Sequence, residues 1–216
     1  DIGWAIDDAD AAAAGVNGGG HRNFCADFYG NEFEGSFARG VHFQSNPLTG
    51  DRRTSGSAAS LIGIQRAIEN KDAADLNTAI NRLICAYAIV FGFGGIPLLY
   101  MGDEFGMLND ESYKNDPAKA DDNRWIHRPK MDWALAESAA QGKGVAGRVY
   151  EQIGKLIAAR KSLASIHASI TAETEVKNDG ALLLIRRKHA AGLLTEIYNL
   201  TEKTQYLDTF NVVFGD

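Results

Sequence analysis

The chain has 216 residues, 45% of them hydrophobic and 23% charged, with a net charge of −6. That apolar content suffices for one large or two small packed domains and excludes a globally disordered polypeptide. The acidic balance and the lack of a basic run exclude nucleic acid and anionic membrane surfaces as main partners, and no apolar run is long enough to span a bilayer.

Residues 1–6 read as the mouth of a strand followed by a loop. The stretch from Asp7 to Ala14 is acidic and then alanine-rich, which predicts a short helix with Asp7 or Asp8 at its N-terminus. Asn17 to Gly20 interrupts it. His21 to Phe28 predicts a second short helix whose buried edge is Phe24 and Phe28, four residues apart. From Gly30 to Gly56 the text is rich in glycine and aromatics and has no period, and a long irregular segment in a compact domain is usually functional. Ser57 to Asn70 returns to helical text. Asp72 to Val90 is the clearest helix, with Leu76, Ile80, Leu83, Tyr87 and Val90 on one face.

A glycine-rich turn at 92–95 follows, and then the apolar run Ile96 to Met101, whose length suits a buried strand. Helix, glycine turn and buried strand make one step of a wound or barrel α/β fold. Asp103 and Glu104 come directly after, where a (β/α)8 barrel carries its working loops. Gly147 to Ser162 predicts an amphipathic helix with Val149, Ile153 and Ile157 inward. Beyond about residue 168 the period becomes that of strands: Thr171 to Val176, a turn at Asn178-Asp179-Gly180, Ala181 to Arg187, Leu193 to Leu200 and Tyr206 to Phe214.

Chemistry-bearing patterns are few. Cys25 and Cys85 form no CxxC or Cys/His pattern and are read as free thiols, which fits a reducing, cytoplasmic compartment. His21, His42 and His127 lack metal-ligand spacing, so no metal and no cofactor are expected. Gly92-Phe93-Gly94 precedes a strand instead of following one, unlike a dinucleotide fingerprint. The serines and histidines lie in no nucleophile-elbow sequence. The dense stretch is DDNRWIHRPKMDW, which puts Arg124, Trp125, His127, Arg128 and Trp133 into one short loop. No common structural need explains that set.

GGIPLLYMGDE followed by DDNRWIHRP resembles the last barrel strand and following loop of glycoside hydrolase family 13, in the amylosucrase subgroup. Asp1-Ile2-Gly3-Trp4 resembles the sequence after the catalytic His-Asp pair at the seventh strand. His21-Arg22 with GSFARGVHFQSNPLTGDRRTSG resembles the insertion between strand seven and helix seven. The resemblance covers most of residues 1–133 and implies an α/β fold: the C-terminal part of a (β/α)8 TIM barrel, strands 7–8, then the start of an antiparallel β-sandwich. The implied organisation is 1–163 for the barrel part, with an insertion at about 5–56, and 164–216 for an incomplete β-domain. The chain lacks an initiator Met and opens in mid-motif, so a fragment is expected.

The family's chemistry implies sucrose and an α-1,4-glucan as partners. An aspartate attacks the glucosyl carbon, a glutamate protonates the departing fructose, and the covalent glucosyl group passes to the glucan with retention. By resemblance the nucleophile, the proton donor and the transition-state aspartate lie upstream, so none is expected in this chain and the chain alone is expected to be inactive. The residues carried over bind substrate. Asp1 and Arg53 match contacts to the fructosyl ring, and Arg22 and Gln44 match acceptor-glucan contacts. Arg124 matches the arginine at the floor of the glucosyl pocket, paired with an upstream acid. Guanidinium forks and carboxylates suit sugar hydroxyls, and Phe37, Phe43 and Trp125 offer aromatic faces. A sucrose hydrolase, another family 13 α-glucosidase, or a non-catalytic glucan-binding protein remain alternatives.

Overall fold

The computed structural model describes residues 2–208. Its helices are α1 (Asp8–Ala13), α2 (Gly18–Tyr29), α3 (Ala58–Leu61), α4 (Ile64–Asn70), α5 (Ala73–Gly92), α6 (Trp133–Ala140) and α7 (Gly144–Ser162). The strands are β1 (Val41–Phe43), β2 (Arg53–Ser55), β3 (Glu173–Lys177), β4 (Leu182–His189) and β5 (Gly192–Asn199). The architecture is therefore mixed α/β. Its two sheets are small and antiparallel, one of two strands and one in the order β3-β4-β5. No helix among the described residues is long and apolar enough to cross a membrane.

The predicted helices form where caps and periodicity agree. Asp7 caps α1 by accepting from Ala9 N and Asp10 N, and Asp72 caps α5 by accepting from Ala74 N and Asp75 N. The apolar face of α5 holds: Ile80, Leu83 and Tyr87 are buried, and Val149 and Ile153 of α7 pack against them. Val90, expected on that face, is exposed. The stretch 57–70, helical in its sequence, forms two helices. Gly63, at φ 104°, adopts a backbone that turns the chain out of α3 before α4 begins. Helix α6 was not anticipated in the sequence; Asp132 caps it through Leu135 N.

The expected strand Ile96–Met101 is not a strand. These residues pair with no strand among the described residues, and Ile96 and Leu98 are 98% and 77% exposed. The apolar run was read as buried, but a strand interior exists only where neighbouring strands cover it. Leu99 alone of the run packs against the main core. Paired barrel strands are accordingly not seen in the described part of the chain. The C-terminal strands form close to their predicted places, with Asn178, Asp179 and Gly180 all at positive φ in the turn between β3 and β4. Residues 206–208 are not in a strand, and the rest of the expected strand to Phe214 lies outside the described residues.

The C-terminal sheet docks on the end of α5. Tyr198 donates to Ala88 O at 3.2 Å, and a Cβ on Gly92 would sit 2.2 Å from the Tyr198 hydroxyl, so only glycine permits this approach. Arg187 of β4, 1% exposed, donates to Phe93 O and lies 3.5 Å from the Glu196 carboxylate. Arg160 of α7 donates to Phe91 O and, at 2.6 Å, to Gly95 O. Two guanidiniums thus meet the carbonyl-rich end of one helix, where positive charge is favoured.

Candidate functional site

A cavity of about 250 Å³ forms where the first residues of the chain meet the irregular segment before α3. Its walls include Gly3, Trp4, Arg22, Gln44, Asp51 and Arg53. Two short backbone bonds build it: Ile2 N donates to Thr54 O at 2.7 Å, and Thr54 N donates to Ile2 O at 3.0 Å. This bridge holds the 2–4 segment beside β2, which carries Arg53. Trp4 stacks on Tyr29 at 4.9 Å and donates its indole N–H to the Thr54 hydroxyl at 3.3 Å, fixing the cavity wall to α2.

The cavity is lined by charges that are already paired. Arg22 projects from α2 and joins three separate pieces of chain. Its Nη1 donates to Ile6 O at 2.7 Å and to Asp8 Oδ1 at 2.8 Å, and its Nε donates to Asp51 Oδ1 at 3.2 Å. Asp51 closes a turn in which Asn46 N donates to Asp51 O and Gly50 N to Asn46 O, both at 2.8 Å. The Asp51 carboxyl is held below the usual carboxylate range, first by the Thr49 hydrogen bond and then by Arg22. Arg52 pairs with Asp27 of α2. Gln44 follows β1 at φ 49°, a left-handed backbone uncommon for a residue with a side chain.

Three of the expected site residues, Arg22, Gln44 and Arg53, therefore share one cavity although they lie in different elements. Arg124 does not line it. That residue sits in a 3-10 turn, Asn123–His127, and makes a two-pronged pair with Asp122, with Nε–Oδ1 and Nη2–Oδ2 both at 2.8 Å. Its guanidinium also lies over Phe43 of β1 at 4.8 Å. Arg124 holds Asp122 down to about 2. Asp1 lies outside the described residues. The aromatic faces proposed for sugars carry cations here: Arg82 over Phe37, Arg124 over Phe43, and Lys119 and Arg128 over Trp125.

A second cavity of about 440 Å³ lies under the 100–108 segment and includes Tyr100, Asp103, Met107, His127 and Arg128. Asp103 accepts from the Tyr87 hydroxyl at 2.5 Å, and burial raises its carboxyl above the usual range. Glu104 instead folds back to accept from Gly102 N at 2.8 Å. Burial, the largest cause, pushes His127 down to about 4, so its imidazole is neutral at pH 7.

Sequence spacing argued against a metal, but folding brings His42 beside Asp27 and Glu32, with ligand atoms within 4.8 Å of one another. The donors are partly committed: Asp27 pairs with Arg52, and His42 Nε2 meets Ala26 O at 3.1 Å. Of the acids that hold Arg22, Asp8 is named in the sequence only as a candidate helix N-terminus and Asp51 not at all. They lie 14 and 29 residues from it, and no local signal reports such a contact.

No protein-family model matches the chain. It is similar to the glucosylglycerate phosphorylase of Escherichia coli (strain K12), 24% identical over 132 residues. The match covers 61% of this chain and 23% of that protein, so the chain corresponds to about a quarter of its relative's length.

Proposed function

We propose that these residues belong to a glucosyl-transferring enzyme of the amylosucrase type in glycoside hydrolase family 13. The observation that carries the reading is the gathering of Arg22, Gln44 and Arg53 around one cavity beside Gly3 and Trp4. Their resemblance to family substrate contacts rests on sequence motifs alone, and nothing in their spacing requires them to meet. The relative's name, a phosphorylase of a glucosyl compound, supports glucosyl transfer as the reaction class.

On this reading the apolar 96–101 segment is the eighth strand of a (β/α)8 barrel whose other strands lie elsewhere in the full protein, and the C-terminal sheet begins a β-sandwich. Residues 1–163 then belong to the barrel part, with the insertion at about 5–56, and 164–216 to the β-domain. The nucleophile and acid/base, two carboxylates in a retaining mechanism, are supplied from outside these 216 residues, as is the transition-state aspartate. Arg53 binds the fructosyl ring with Asp1, Arg22 and Gln44 face the acceptor glucan, and Arg124 closes the glucosyl pocket. In the full protein Arg124 would exchange or share Asp122 with an acid from another strand.

The test is incubation of the full-length protein with sucrose and a short α-1,4-glucan, with and without inorganic phosphate. Fructose release with glucan elongation in the absence of phosphate is the expected result. Absolute dependence of donor cleavage on phosphate would replace this reading with a phosphorylase, the second reading that the relative favours.

A further inference from the structure

We propose that Asp8 and Asp51 set the charge selectivity of the 250 Å³ cavity: by cancelling the Arg22 guanidinium they reject anionic acceptors, inorganic phosphate among them, and leave the cavity to neutral sugar hydroxyls. The inference rests on the reading of this cavity as an acceptor and leaving-group site.

Phosphate and carboxylate ligands need guanidinium or ammonium donors whose charge is not already spent. The cavity is lined by Arg22, Arg52 and Arg53, a set that resembles an anion trap when only the lining is counted. The contacts reverse that impression. Arg22 meets two carboxylates, Asp8 and Asp51, and Arg52 meets one, Asp27. Arg52 also spends Nη1 on Gly50 O at 3.2 Å, and Arg53 has an interaction of its own. Three carboxylates therefore engage two of the three guanidiniums, Arg22 and Arg52. Asp51 is in the wall itself, so an incoming anion meets a negative residue there. Its depressed titration, caused first by Thr49 and then by Arg22, keeps it ionised.

The arrangement is built into the backbone. A Cβ on Gly18 would fall 2.2 Å from Asp8 Oδ1, so the glycine at the start of α2 is what lets Asp8 reach Arg22. The Asn46–Asp51 turn is closed by its own backbone bonds, which points Asp51 at Arg22 from the other side. What the cavity offers a ligand is a set of groups of both signs: the Gln44 and Asn46 amides, the Asp51 carboxylate and the Arg52 and Arg53 guanidiniums. A hydroxyl both donates and accepts, and so can use all of them.

The experiment measures inorganic phosphate binding calorimetrically with the full-length protein, its Asp8→Asn and Asp51→Asn variants, the double variant, and the double variant carrying Arg22→Gln. Asparagine keeps an acceptor oxygen and removes only the charge. The double variant is expected to bind phosphate about tenfold more tightly than wild type or better, each single variant is expected to gain less, and Arg22→Gln is expected to abolish the gain. Unchanged phosphate affinity in a folded double variant overturns the proposal. So does saturable phosphate use by wild type, with glucosyl transfer to phosphate, and that arm needs no variant to fold. The titration is independent of turnover. A protein that ignores sucrose but shows the phosphate gain refutes the proposed function and keeps the charge selection, whereas sucrose turnover without the gain does the opposite.

Discussion

At the end of α5, Arg160 and Arg187 hold backbone carbonyls from a helix terminus and its glycine turn, and Arg187 is 1% exposed. Around the 250 Å³ cavity, Arg22 holds Asp8 and Asp51, whose side chains are 74% and 47% exposed. Both regions use guanidinium forks to join distant pieces of chain. They differ in access to water. A buried guanidinium has no substitute partner, so removing it strands the carbonyls and the acid that it served. An exposed pair gains little, because water and salt already screen it. The first arrangement suits a permanent joint. The second suits a site, where contacts must loosen when a ligand arrives.

The largest test of this contrast is Arg187→Ala. It leaves the partly buried Glu196 without its guanidinium and Phe93 O without a donor. Unfolding in urea should show a loss on the order of 3–5 kcal/mol, and Arg187→Lys should recover only part, since an ammonium cannot reproduce the fork. A loss under about 1 kcal/mol would place this joint with the surface pairs and end the distinction.

The next effect belongs to function and not to stability. In the full-length protein Arg53→Ala should lower kcat/KM for sucrose by about 1.5–3 kcal/mol, the range for charge-assisted bonds to substrate. An aryl glucoside, whose leaving group needs no fructosyl contacts, should suffer less. Equal losses on the two substrates would remove Arg53 from the leaving-group side of the cavity.

The same contrast explains what was legible in the sequence. The caps at Asp7 and Asp72, the apolar face of α5, the inward Val149 and Ile153, and the turn at Asn178-Asp179-Gly180 are local, and each was readable from residues a few positions apart. The break at Gly63 is not legible because an isolated glycine in helical text is tolerated. Ile96–Met101 pairs with no strand among the described residues, and its apolar text alone could not report that, because burial of a strand depends on neighbours far away in the sequence. At the site, the motif resemblance brought Arg22, Gln44 and Arg53 forward, but their partners were invisible. Asp8, Asp27 and Asp51 reach their arginines across 14 to 29 residues, through an irregular segment with no period to follow.

A smaller, pH-dependent effect comes from His127. Its folded value of about 4 lies below its ordinary 6.5, chiefly through burial. Between those values the unfolded chain binds more protons than the folded one, so stability rises with pH across that window and is level above it. Asp103 acts with the opposite sign. Burial raises its carboxyl, the folded chain holds the proton longer, and stability falls as pH climbs above the ordinary aspartate value. His127→Gln should flatten the rising limb by about 1 kcal/mol, after discounting for the half-open surroundings of the ring. A rising limb between pH 4 and 6.5 that survives the substitution would assign it to another group.

The smallest effect is expected at Arg124–Asp122, and it sharpens the comparison most because its geometry is better than that of the buried joint. Both prongs measure 2.8 Å, against 3.5 Å for Arg187–Glu196. If geometry alone decided strength, Asp122→Asn would be the more damaging change. The Arg124 and Asp122 side chains are 38% and 31% exposed, however, and water replaces whatever is lost. The urea midpoint of Asp122→Asn should therefore fall only slightly below wild type at physiological salt. Asp122 should still register in acid. Its carboxyl is held at about 2, so what the pair contributes is present above the ordinary aspartate value and is lost as pH falls toward 2. Wild type and variant should converge at the bottom of that range, and any gap between them at neutral pH should close in 1 M salt. A salt-insensitive loss as large as that of Arg187→Ala would mean that hydrogen-bond geometry outweighs exposure here, and that Arg124 is a joint of the scaffold instead of a side chain free to turn toward a ligand.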